Sequence, residues 1–218
     1  MTLMYIDQFL DRHPKIKLSQ TSLMLCKIGE RKMINSIDPL HDKHHIGRLL
    51  KNLSAFLKYY PNHKKINFEV LLLSICWHDT WKAKRQTMNP FKLVYYQVYE
   101  GIGSMIIFSK NTINLLPQSI IEKVNYTIRK HSQFQFFSLT TLESKILKDI
   151  DDLDILNAKR LRPLLRKRKE ISIFTKTFGK YYISHKSSEK SLNDMEFSWS
   201  KKKAERINKI INKILLLV

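Results

Sequence analysis

Glu69-Val70-Leu71-Leu72-Leu73-Ser74-Ile75-Cys76-Trp77-His78-Asp79 is an apolar run that ends in two polar, metal-capable side chains. Its length fits a core helix and falls short of a membrane span. A histidine and an aspartate at the mouth of a buried helix are costly to desolvate unless something compensates them. A bound cation would do so, if further ligands converge on the same point.

Around this run the chain reads as helical. Glycine is rare, with 5 in 218 residues, and apolar side chains recur at helical spacing. This argues for an all-α fold and against a sandwich or a doubly wound sheet. The pattern predicts helices over residues 5–11, 19–34, 44–59, 67–77, 91–110, 117–131, 142–157 and 197–216. Ser19 and Thr141 are expected N-caps, and Pro117 stands at a first-turn position. The hydrophobic fraction of 43% is enough for a sizeable core. A helical domain is expected over 1–157, followed by a basic segment over 158–218 that ends in an amphipathic helix and packs on the same domain. The stretch 174–182 reads as strand-like or irregular.

A formal charge of +20 favours anionic partners: nucleotides, nucleic acid, phosphorylated substrates or an acidic membrane surface. A well-solvated lysine-rich surface explains the same number without a partner. The densest basic run is Lys159-Arg160-Leu161-Arg162-Pro163-Leu164-Leu165-Arg166-Lys167-Arg168-Lys169. Two cysteines, Cys26 and Cys76, cannot build a disulfide framework, which fits a reducing compartment. The N-terminus has no basic region before an apolar core, and no stretch is apolar and long enough to span a bilayer. A soluble, cytoplasmic protein is expected.

Candidate ligands follow from helical geometry. His45, Leu49, Leu53 and Phe56 fall on one stripe, so His45 points inward at the start of a core helix. Neighbours such as His78 and Asp79 lie about 100° apart on a helix and reach one ion only at its end, which is where they stand. In Leu147-Lys148-Asp149-Ile150-Asp151-Asp152-Leu153-Asp154, Asp151 and Asp154 share a stripe with Leu147. Two imidazoles and two carboxylates form a mixed nitrogen and oxygen set suited to Mn, Fe, Co, Ni, Mg or Zn. His131 follows Ile120, Val124 and Ile128 inward, and an ordinary core histidine is the competing reading for it.

Three blocks in order resemble the HD superfamily of metal-dependent phosphohydrolases. His41-Asp42-Lys43-His44-His45-Ile46-Gly47-Arg48-Leu49 is similar to the opening motif of small bacterial members, residues 71–82 to the central motif, and residues 147–156 to the closing aspartate motif. The resemblance implies one divalent metal ion per site, held by His45, His78, Asp79 and Asp151, with metal-activated water attacking an anionic phosphorylated substrate such as a nucleotide. It assigns catalytic roles to Asp79, Lys82 and His131. Lys82, Lys84, Arg85 and His131 would contact phosphate. Some positions depart from the family pattern. Ile150 and Asn157 replace the usual alanine and glycine near the closing motif, and Lys82 stands where the nucleotidase branch tends to carry an acid. The alternative is a binding module, in which the HD scaffold presents its basic surface to nucleic acid without catalysis. Nothing in the sequence favours other chemistry on this scaffold, such as a hydratase or an oxygenase, and nothing fixes the oligomeric state.

Overall fold

A computed structural model describes residues 4–34, 36, 42–84, 90–131, 139–156 and 194–216. Among these residues every regular element is helical, so the protein is all-α there. In chain order the α-helices are α1 Tyr5–Arg12, α2 Gln20–Ile34, α3 His45–Tyr59, α4 Phe68–Trp77, α5 Thr80–Ala83, α6 Pro90–Val98, α7 Glu100–Thr112, α8 Gln118–His131, α9 Leu142–Ile155 and α10 Ser198–Leu216. No described helix is long and apolar enough to cross a membrane. The chain divides into two compact units, Met1–Leu147 and Lys148–Val218.

Helix α4 is the centre of the first unit, packed against α2, α3, α7 and α8. Every residue from Val70 to Trp77 is buried, which is what an apolar run without a polar face requires. Asn67 starts the helix by accepting a hydrogen bond from Val70 N at 3.1 Å. The one hydroxyl inside the run, Ser74 Oγ, donates to the Val70 carbonyl at 2.7 Å, so its burial leaves no unmet donor. Trp77 Nε1 donates to the Leu25 carbonyl at 2.9 Å and ties α4 to α2. The two helices cross closely at Gly29, where a Cβ would lie 2.6 Å from the Cys76 carbonyl oxygen.

The remaining helices follow their patterns. On α3 the expected stripe of His45, Leu49, Leu53 and Phe56 is buried. Ser19 Oγ accepts from Ser22 N at 3.1 Å and Thr141 Oγ1 from Ser144 N at 3.2 Å, so both expected caps form. One expectation needs correction: residues 91–110 are not a single helix. The chain turns at Tyr99 (φ −95°, ψ 10°), and α7 begins with Glu100 directed into the interior. At Gly103 of α7 a Cβ would overlap the Trp81 indole, so the glycine lets α5 lie against α7. The strand-like stretch 174–182 lies outside the described residues.

In the second unit, Leu153, Leu156, Met195 and Ala204 form a small apolar core on which Trp199 and Ile207 pack. Asp149 accepts from the backbone N–H groups of Glu196 and Phe197, each at 3.0 Å, just before α10 begins. Burial pushes the Asp149 carboxyl up to about 6, against the pull of these hydrogen bonds, of Ser200 and of Lys148.

Candidate metal centre

Several helix ends of the first unit bring polar groups to one place. His45 is the first residue of α3, His78 directly follows α4, Asp79 precedes α5 and His131 closes α8. All four are buried, as are Lys82 on α5 and Glu100 at the start of α7. His45 Nε2 lies 3.1 Å from His78 Nε2. Each of these nitrogens lies 3.2 Å from Asp79 Oδ2. On the other side of the carboxylate, Asp79 Oδ1 is 3.3 Å from Lys82 Nζ and 3.7 Å from His131 Nε2.

Hydrogen bonding fixes what these groups present. His78 Nδ1 lies 2.9 Å from the Ile75 carbonyl oxygen, which can only accept, so Nδ1 carries the proton. The neutral ring then offers a bare lone pair at Nε2. His131 is held in the same way, with Nδ1 donating to the Ile128 carbonyl. Lone pairs on His78 Nε2 and Asp79 Oδ2 thus point at a common spot beside His45 Nε2. A proton on His45 serves one of these contacts. A metal ion serves all three at once, and ligands about 2.1 Å from an ion and roughly at right angles sit about 3 Å apart. The buried His45, His78 and Asp79 atoms therefore form a group able to hold a divalent ion, and Asp79, Glu100 and His131 form a second overlapping one.

Charge points the same way. Lys82 Nζ is ion-paired with Glu100, whose Oε2 also accepts from Gln97 Nε2 at 2.9 Å. With neutral imidazoles, Asp79 and Glu100 outweigh Lys82 by one negative charge in a buried setting. Such a surplus is expensive unless a cation joins it. Comparison with protein-family models, with curated proteins and with solved structures finds no match. The assignment therefore rests on the donors themselves.

Of the residues singled out from the sequence, His45, His78, Asp79, Lys82 and His131 come together in this cluster. Lys84 is exposed at the end of α5, and Arg85 and His41 lie outside the described residues. Asp151 is half-buried on α9 and belongs to the second unit. Two of its acidic neighbours have structural partners there: Asp149 caps the approach to α10, and Asp152 pairs with Lys148 at 3.3 Å. His13, His44 and His63 bond to Ser54, Tyr5 and the Leu57 carbonyl.

Sequence reasoning missed Glu100. Its signal was an acid followed by two nearby glycines, Glu100-Gly101-Ile102-Gly103, inside an otherwise apolar stretch. Also unforeseen was a group of aromatic rings formed by Trp81, the residue before Lys82, with Tyr95, Tyr96 and Tyr99, the residue before Glu100.

Proposed function

We propose that this chain is a metal-dependent phosphohydrolase of the HD type, acting on a nucleotide or another small phosphorylated substrate. The observation that carries the reading is the convergence of His45 Nε2, His78 Nε2 and Asp79 Oδ2 at 3.1–3.2 Å, with the His78 lone pair fixed by its Nδ1 bond. His45, His78 and Asp79 are the metal ligands in this reading, with Asp151 as the fourth. The assignment of Asp151 draws on the resemblance of its motif and on the structural engagement of Asp149 and Asp152.

A divalent ion in such a set lowers the pKa of water and polarises a phosphoryl oxygen. The protein's own groups divide the remaining work. Asp79 Oδ1, turned away from the ligand triad, accepts the proton of the attacking water. His131, its Nδ1 anchored on Ile128 and its Nε2 3.7 Å from Asp79 Oδ1, takes that proton from Asp79 and passes it to the leaving oxygen. Lys82 is held by Glu100 and Asp79, so it acts as a fixed charge that orients Asp79 and faces the phosphate, rather than as a mobile arm. Lys84 and Arg85 would extend the anionic contact outward.

The test combines elemental analysis of the purified protein with a phosphoester panel in Mn²⁺, Co²⁺, Ni²⁺ or Mg²⁺. The reading expects about one ion per chain and cleavage of at least one nucleotide ester. Asp79→Ala should lose both the metal and the activity while keeping its helical circular dichroism. A metal-free protein that cleaves nothing on the panel sinks the proposal.

A further inference from the structure

Trp81, Tyr95, Tyr96 and Tyr99 make a connected aromatic surface. The ring centroids are 5.4 Å apart for Trp81 and Tyr96, 6.1 Å for Trp81 and Tyr95, 5.8 Å for Tyr95 and Tyr96, and 5.0 Å for Tyr95 and Tyr99. We infer that this surface is a nucleobase platform, which selects a substrate carrying a base attached to the phosphate ester. The inference rests on the hydrolase reading and deepens it by naming what binds beside the phosphate.

Three observations support it. The first is position. Trp81 directly precedes Lys82 and Tyr99 directly precedes Glu100, so the residues flanking the Lys82–Glu100 ion pair in sequence also carry the two ends of the aromatic chain. Trp81 is fixed there, with its backbone N–H donating to Ser104 Oγ at 3.1 Å and its indole lying over Gly103.

The second is exposure. Tyr95 and Tyr99 remain 50% and 45% exposed although they belong to a ring cluster, whereas core aromatics such as Trp77 and Phe108 are fully covered. Exposed rings offer faces on which a planar base can stack. The third is a donor. Trp81 Nε1 is shielded from solvent and has no hydrogen-bond partner among the described residues, so a ligand acceptor that displaces the groups covering it would satisfy it. The excess positive charge of the chain favours the anionic class to which nucleotides belong.

A base-bearing ester could be a free nucleotide or the end of a single strand, and the experiment separates them. Wild type, Tyr99→Ala and Tyr95→Ala are assayed with a nucleoside monophosphate, a short oligonucleotide and ribose 5-phosphate. Tryptophan fluorescence is titrated in parallel with a nucleoside, which has no phosphate and needs no catalysis. The expected result is a drop of roughly 5- to 100-fold in kcat/KM for base-bearing esters in each alanine variant, little change for ribose 5-phosphate, and nucleoside-dependent quenching that Trp81→Phe abolishes. Tyr95→Phe and Tyr99→Phe, which keep the ring face, should retain selectivity. A larger loss on the oligonucleotide than on the mononucleotide assigns the platform to a strand end.

If wild type cleaves ribose 5-phosphate as well as nucleotides and the alanine variants change nothing, the platform is refuted while the hydrolase reading stands. If no ester is cleaved yet nucleoside still quenches Trp81, the hydrolase reading fails and base binding survives. If the alanine variants alter only the oligomeric state, the rings form a protein contact and the inference is overturned.

Discussion

Asp79→Asn separates a metal site from an ordinary buried polar cluster, because its two effects have opposite signs. With neutral imidazoles and no metal, Asp79 and Glu100 outweigh Lys82 by one negative charge next to imidazole lone pairs. Asparagine keeps the size of the side chain, removes that charge and places an NH₂ donor within reach of the His45 and His78 nitrogens. Desolvating an ion costs several kcal/mol, and the Lys82 ammonium at 3.3 Å from Asp79 offsets much of it. The expected net effect is a gain of about 1–3 kcal/mol for the variant, the scale of one hydrogen bond to a charged group. At roughly 2–4 °C per kcal/mol for a chain of this size, the metal-free melting midpoint should rise by about 2–12 °C.

With metal the order reverses. An ion at a hundred times its dissociation constant stabilises the wild type by about 2.7 kcal/mol, or roughly 5–11 °C, and this increment should vanish in the variant. Calorimetry in EDTA and across a Mn²⁺ titration measures both effects. A variant that melts below wild type in EDTA, with a metal shift equal to that of wild type, would refute the reasoning.

Two further outcomes follow from particular contacts. Glu100→Gln leaves Lys82 paired with Asp79 and should change the urea-unfolding free energy in EDTA little, whereas Lys82→Met removes the ammonium from both buried carboxylates and should cost about 3–5 kcal/mol; equal losses for the two variants would contradict the pairing. Burial raises the pKa of Glu30, which accepts from the backbone N–H groups of Tyr5 at 2.8 Å and Ile6 at 3.2 Å. Because its folded pKa is raised, its contribution is fully present below the ordinary carboxylate value and is lost as pH rises through the folded value. Urea-unfolding free energies should therefore fall from about pH 4.5 upward, and Glu30→Gln should flatten that slope.

Much of the first unit was legible because its signals are local. The α3 stripe, the all-apolar α4, the caps at Ser19 and Thr141 and the inward turn of His131 are each set by residues three or four apart. The break at Tyr99 was not legible, since apolar residues lie on both sides of it and no proline or positive φ marks it. Glu100 was missed for a related reason. Its partner, Lys82, is on another helix, and helical periodicity carries no information about pairs so far apart. The aromatic group of Trp81, Tyr95, Tyr96 and Tyr99 likewise arises from the packing of α5, α6 and α7. The basic run over 159–169 lies outside the described residues.

The helix ends at the cluster have a further consequence. Helices α3 and α7 arrive with their amino ends, at His45 and Glu100, while α4 and α8 arrive with their carboxyl ends, at His78 and His131. Each end carries about half an elementary charge, positive for the first two and negative for the others. Opposed in this way, the backbone dipoles largely cancel at the meeting point. The local potential is then left to a handful of side chains and to whatever they bind, so a single substitution can reset the sign of the site without moving a helix.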